Sequence, residues 1–214
     1  MCNVRRDQFG SETQAFRLRT PGGAYNVKLP LLGKHQLDNA ATAILAVEAL
    51  AASGLKVPEE AVKAGLESVK WPARIETIKR RPTVIVDSAH TADSARRLRD
   101  TLEEYLHIRN ATLVVGVMGD KDLEGRAAAI EPVARRVIAT KADHPRALDV
   151  RSVGRVFQDL GVETMYDERL GSAIDTALNL STPSDAVVIL GSIALAGEAR
   201  AHLLGLEHDP PMTG

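Results

Sequence analysis

Apolar and polar residues alternate over 14–20 (QAFRLRT) and 25–29 (YNVKL), and Pro21-Gly22-Gly23 between them is turn chemistry. Together they predict a β-hairpin. From Gln36 the period changes. Ala40, Ala43, Ile44, Val47 and Leu50 share one stripe of a helix, and Gly54 is placed to end it. A second, short helix is expected over Glu59–Ser68, with Pro58 at its first turn.

Beyond Trp71-Pro72 the texture changes to short Val/Ile-rich runs separated by amphipathic segments. Strands are expected at 83–87 (TVIVD), 111–117 (ATLVVGV), 136–140 (RVIAT), 162–166 (VETMY) and 186–191 (AVVILG). Helices are expected near 93–106, 123–134, 149–160, 169–180 and 194–204. Continuous apolar strands alternating with helices imply a parallel sheet covered on both sides. The fold class is therefore α/β: a Rossmann-like, mostly parallel sheet with helices on both faces, preceded by a β-hairpin plus helices. The boundary falls near 70–74. The tail EHDPPMTG is expected to fray.

Composition narrows the partners. Lys+Arg 27 against Asp+Glu 28 gives a formal net charge of -1 over 214 residues, so no global field draws the chain to nucleic acid or to an anionic membrane. The single cysteine, Cys2, excludes an intrachain disulfide and fits a reducing, cytoplasmic setting. MCNVRRDQFG has no apolar signal core and the longest apolar runs are strand-length, so no transmembrane segment is expected.

Ligands of open parallel sheets bind beyond the carboxyl ends of the strands. Three such ends carry polar groups. Asp87, Ser88 and His90 (DSAH) follow the first strand, with Asp93 or Ser94 placed to cap the next helix; a site and a plain turn fit this stretch about equally well. The second end is GVMGDKD, where Gly116 and Gly119 permit an unusual turn. Lys121 there suits a carboxylate or phosphate, although a solvated lysine paired with Asp120 or Asp122 fits the spacing better. At the third, Gly191-Ser192, the hydroxyl and the free helix N–H groups suit an anion, and helix capping explains Ser192 equally well. Absent motifs matter too. There is no GxGxxG after a strand, no GxxxxGK[ST], no G-x-S-x-G and no zinc-type His/Cys spacing, so no metal site is expected. Asp87, Ser88 and His90 sit too close together on one strand end to form a hydrolase triad.

Six stretches, in order, resemble the Mur ligase superfamily and within it the folylpolyglutamate synthase/dihydrofolate synthase branch. They are LPLLGKHQLDNAATAILAVEAL (29–50), WPARIE (71–76), VIVDSAHTADSARRL (84–98), VVGVMGDKDLEG (114–125), ATKADHPRALD (139–149) and LGSIALAGEAR (190–200). The resemblance implies an ATP-dependent amide ligase that joins L-glutamate to a folate or pteroate carboxylate through an acyl phosphate. It also implies that 1–70 is the C-terminal remnant of the central ATPase domain and 74–210 the Mur ligase C-terminal glutamate-ligase domain. Asn39 would then bind adenine, since an amide supplies a donor and an acceptor. Arg74 would reach the ATP phosphates as a permanently charged fork and serve catalysis. Asp87 would take the ribose hydroxyls. His90 would lie near the reacting carboxylate or the incoming glutamate, with Lys121 and Ser192 holding substrate carboxylates.

The chain departs from the family pattern at Ala73, where glycine is common, and at DSAHTAD, with Ser88, Thr91 and Ala92 in place of Gly, Asn and Pro. The family's glycine-rich phosphate loop and magnesium ligands would precede residue 1. The resemblance therefore implies a chain that needs ATP and Mg2+ yet is incompetent alone. The alternative is a non-catalytic binding or partner module that docks on a separately encoded N-terminal ATPase half. A nicotinamide oxidoreductase is a remote third reading.

Overall fold

The computed structural model describes residues 3–9 and 52 as backbone, and 12–51, 53–55, 57–119 and 122–207 in full. The chain divides into two compact units, Met1–Trp71 with Glu104–Leu106, and Pro72–Glu103 with His107–Gly214.

In the first unit, β1 (Asn3–Phe9), β2 (Gln14–Arg19) and β3 (Ala24–Leu29) form an antiparallel sheet in that order, so the expected hairpin gains a third strand on its β2 side. Alternation does its work here. Phe16 and Leu18 of β2 and Tyr25, Val27 and Leu29 of β3 are buried against α1 (Lys34–Ala52), while their neighbours point out. The buried stripe of α1 is Leu37, Ala40, Ala41 and Ile44. Ala43 and Leu50, expected on the stripe, are exposed and Val47 is half-buried, while Glu48 meets the hairpin through Thr20 and Tyr25. Gly54, at φ 97°, follows the helix end in the left-handed conformation that suits glycine. Pro58 is the N-cap of α2 (Glu59–Glu67), one position ahead of the expected place.

In the second unit six strands pair in the order β4-β5-β9-β6-β7-β8: β4 (Glu76–Arg80), β5 (Thr83–Val86), β6 (Ala111–Val115), β7 (Ala134–Ala139), β8 (Glu163–Tyr166) and β9 (Ala186–Leu190). All neighbours are parallel except β4, an antiparallel edge strand (Glu76 opposite Val86) that sequence patterning missed. Its residues are half-buried or exposed and its sequence, ETIKR, is polar, so no apolar run announced it. The helices are α3 (Ala92–Tyr105), α4 (Leu123–Ile130), α5 (Val150–Asp159), α6 (Leu170–Asn179) and α7 (Ile193–Leu204). On one face Leu170, Ala173, Ile174 and Ala177 of α6 and Leu195, Ala196 and Ala199 of α7 pack on Val84, Val86, Val114, Ile138, Val187 and Ile189. Ile85, Leu113, Val137 and Val188 alternate with these and are equally buried. They belong to the opposite layer, completed by Leu98 and Leu102 of α3, Ile130 of α4 and Phe157 of α5.

Candidate functional site

β5 and β9 lie side by side, yet α3 follows β5 and α7 follows β9 on opposite faces of the sheet. Their carboxyl ends therefore open as a crevice at the point where the winding reverses. Asp87 to His90 leave β5 there, and Gly191 and Ser192 leave β9. The backbone continues the sheet by one residue at each end: Asp87 N–H donates to Ile189 O at 3.0 Å, and Gly116 N–H to Leu190 O at 3.2 Å.

Asp87 is 6% exposed and both its carboxylate oxygens are engaged. Oδ2 accepts from the Ile75 amide and Oδ1 from the Ala89 amide, each at 2.8 Å. Burial pushes this carboxyl up from its ordinary value, while the two amides and the charges of Arg74 and His90 pull it back down. The turn leading into β4 is tied down throughout. Ala73 N–H donates to Glu76 Oε2 at 2.7 Å, Ser88 N–H donates to Ala73 O at 3.0 Å, and Ile75 is held by Asp87. Between these tied residues stands Arg74. It is half-buried and, among the described residues, its guanidinium has no hydrogen bond or ion pair.

His90 is exposed. Its Nδ1 donates to Ser88 O at 3.0 Å, so a neutral ring here carries its proton on Nδ1 and keeps Nε2 as the acceptor. The cap of α3 is neither Asp93 nor Ser94. Thr91 Oγ1 accepts from the Ser94 amide at 3.1 Å and Ser94 Oγ accepts in return from the Thr91 amide at 2.9 Å, a reciprocal box. Asp93 instead pairs with Arg97 at 2.8 Å. Ser192 is buried and caps α7, its Oγ accepting from the Leu195 amide at 3.0 Å. Gly119 takes the left-handed conformation expected of it, at φ 70°. Gly116 does not; it is needed for space, since a Cβ there would lie 2.7 Å from Leu195 Cδ1. Lys121 and its neighbour Asp120 lie outside the described residues, as do Cys2 and the tail 208–214.

Asn39 belongs to the first unit. It is exposed on α1 and its Nδ2 donates to Gln36 Oε1 at 3.0 Å, which orients the amide and leaves its oxygen to accept from a ligand. The residues that sequence reasoning passed over are Glu76 and Arg200. Arg200 Nε and Nη2 grip Glu76 at 2.6 and 3.1 Å across 124 positions of sequence, a distance at which no local spacing signals the pair.

A parallel α/β domain with its polar groups gathered where the winding reverses belongs to the doubly wound class, whose ligands bind at such a crevice. Residues 73–193 match the family described as Mur ligase, glutamate ligase domain, and the chain belongs to that family. It is 37% identical over 217 residues to the dihydrofolate synthase/folylpolyglutamate synthase of Mycobacterium tuberculosis, covering 92% of this chain and 44% of the relative. The crystal structure of the M. tuberculosis folylpolyglutamate synthase complexed with ADP and AMPPCP superposes with a TM-score of 0.86 at 36% identity, over 96% of this chain and 48% of that one. A bifunctional folylpolyglutamate synthase/dihydrofolate synthase from Yersinia pestis, complexed with AMPPNP and Mn ion, gives 0.74 at 25% identity, over 88% and 44%. The chain thus spans about half the length of the relatives it matches, corresponding to their C-terminal portion. Among the described residues no helix is long and apolar enough to cross a membrane.

Proposed function

We propose that this chain supplies the glutamate-ligase half of an ATP-dependent amide ligase of the folylpolyglutamate/dihydrofolate synthase type. Such an enzyme joins L-glutamate to a folate or pteroate carboxylate through an acyl phosphate. The observation that carries the reading is the half-buried Arg74 guanidinium, without a hydrogen bond or ion pair among the described residues, on a turn fixed at the carboxyl end of the sheet, which fits a phosphate group. The oriented, exposed amide of Asn39 fits an adenine edge. Bound ATP would supply the phosphoryl group that turns a carboxylate into an electrophile. Arg74 would hold negative charge on that group, and Nε2 of His90 would accept a proton from the ammonium of glutamate, freeing the amine to attack the acyl carbon and displace phosphate.

Asp87 fits its assigned ribose less simply. Each oxygen already accepts one backbone N–H, so a ribose hydroxyl would use a remaining lone pair. Ser192 as a glutamate ligand would donate its hydroxyl hydrogen while its oxygen continues to cap α7. Lys121 would neutralise a substrate carboxylate. Magnesium ligands would belong to the ATPase portion; among the described residues no group of three or more His, Cys, Asp or Glu side chains could hold a metal ion, and no step is assigned to one.

The ATPase portion carrying the phosphate loop would belong to a separate segment or protein. One observation favours a docked partner: the first unit exposes Leu45, Leu50, Leu55 and Trp71. Pure chain should not incorporate glutamate from ATP and dihydropteroate, and adding a phosphate-loop half of the same family should restore incorporation in wild type but not in Arg74→Met. Incorporation by the pure chain would overturn the division of labour. Full recovery with Arg74→Met would overturn the assignment of the site.

A further inference from the structure

Two residues of the turn before β4 hold the left-handed backbone conformation without being glycine: Ala73 at φ 55° and Ile75 at φ 50°. For a β-branched residue this is a pronounced outlier, and such strain persists only where the surroundings over-determine it. Arg74 stands between the two. Asp87 holds Ile75 and Ser88 holds the Ala73 carbonyl, both from the adjoining strand end. The Ala73 amide is held differently. It donates to Glu76 Oε2 at 2.7 Å, and that same oxygen takes the 2.6 Å contact from Arg200 Nε, while Arg200 Nη2 reaches the other oxygen at 3.1 Å. Both side chains are about three-quarters buried, at 24% and 25% exposed, so the pair is better shielded than a surface bridge. Arg200 is carried by α7, the helix that starts at Ser192 in the crevice.

We propose that Glu76 and Arg200 are positioning residues: a lock, closed from α7, that holds the strained Ala73-Arg74-Ile75 turn and thereby presents Arg74 to the phosphates of a nucleotide. The inference rests on the nucleotide reading above for its ligand, and on backbone geometry for the lock. An ion pair that merely stapled α7 to the sheet edge would be indifferent to the residue at 73. A lock on a strained turn would not be, because glycine enters the left-handed region freely.

The test uses the full chain and residue-resolved amide hydrogen exchange in wild type, Arg200→Met, Arg200→Lys, Ala73→Gly and the Arg200→Met/Ala73→Gly double variant. Arg200→Met is expected to speed exchange of the Ile75 amide about tenfold or more while the Val188 amide in β9 stays unchanged. Arg200→Lys, a point charge without the fork, should give an intermediate rate and covers the case in which the methionine variant folds poorly. Ala73→Gly should return most of the lost protection at Ile75. Unchanged Ile75 exchange in Arg200→Met, equal acceleration at Val188, or no recovery from Ala73→Gly would each overturn the lock.

A second readout follows the Arg74 Nε–H signal while the chain, mixed with a phosphate-loop half of the same family, is titrated with ATP. The apparent Kd should rise about tenfold in Arg200→Met and return in the double variant. If ATP moves that signal in no variant, the nucleotide reading falls, and the exchange rates alone still decide the lock.

Discussion

A Cβ added to Gly191 would sit 2.4 Å from the carbonyl oxygen of Gly116. Gly191 also holds φ at 127°, a conformation that side chains rarely adopt. The ends of β9 and β6 therefore meet backbone to backbone at the mouth of the crevice, and no side chain fits between them. Gly191→Ala should cost on the order of 3 kcal/mol, combining backbone strain with a contact that neither main chain can vacate. Urea denaturation followed by circular dichroism reads this directly, and a loss under about 1 kcal/mol would mean that the strand ends separate easily.

Ser192 has two assigned duties that can be separated. As the N-cap of α7 its oxygen accepts from the Leu195 amide, so Ser192→Ala should cost about 1 kcal/mol of stability. Ser192→Asp restores a capping oxygen and adds a negative charge that suits a helix N-terminus but repels a substrate carboxylate. Stability should recover in the aspartate variant while glutamate incorporation by the reassembled enzyme falls further. Recovery of both would leave Ser192 a cap and nothing more.

The parallel sheet was legible because its strands are buried on both faces: TVIV, ATLVV and AVVIL announce themselves as continuous apolar runs. β4 was not, since an edge strand with residues half in solvent needs no such run. Local chemistry was read with the wrong partner in two places. Thr91 shares its box with Ser94 where Asp93 or Ser94 alone was expected, and Gly116 is small for its neighbours and not for its own φ. Motif order singled out Arg74, Asp87, His90 and Ser192, and the structure sets Asp87, His90 and Ser192 at the carboxyl ends of β5 and β9. The bond from Arg200 to Glu76 was not, because nothing local to either residue encodes a contact 124 positions away.

Gln14 shows a polar residue used as a core residue. It falls in phase with Phe16 and Leu18 on the inward face of β2, is fully buried, and its Nε2 donates to Leu31 O at 2.6 Å and Gly33 O at 2.9 Å. Those carbonyls belong to the segment that delivers the chain into α1, the helix bearing Asn39. Gln14→Leu keeps the volume but strands both carbonyls, so a loss of about 2 kcal/mol is expected. A neutral result in chemical denaturation would show that water reaches those carbonyls.

Asp87 and Arg74 should be linked through pH. The Asp87 carboxyl is raised by burial above its ordinary 3.8, so below that value folded and unfolded chains both hold the proton and its favourable contribution to stability is complete. As pH climbs from there to the folded value, the unfolded chain ionises first and this contribution is lost; above the folded value no further change comes from this group. Asp87→Asn, which cannot ionise, should remove that decline. The slope with pH is the proper readout, since the single amide oxygen of asparagine also serves one backbone N–H fewer. Arg74 supplies part of the attraction that holds the value down, so Arg74→Met should raise it further and stretch the decline toward neutral pH. The carboxyl carbon shift of Asp87, followed by NMR against pH in wild type and Arg74→Met, measures this without any ligand present. An unchanged midpoint would place the Arg74 guanidinium too far from Asp87 for the two to act on one nucleotide from neighbouring positions.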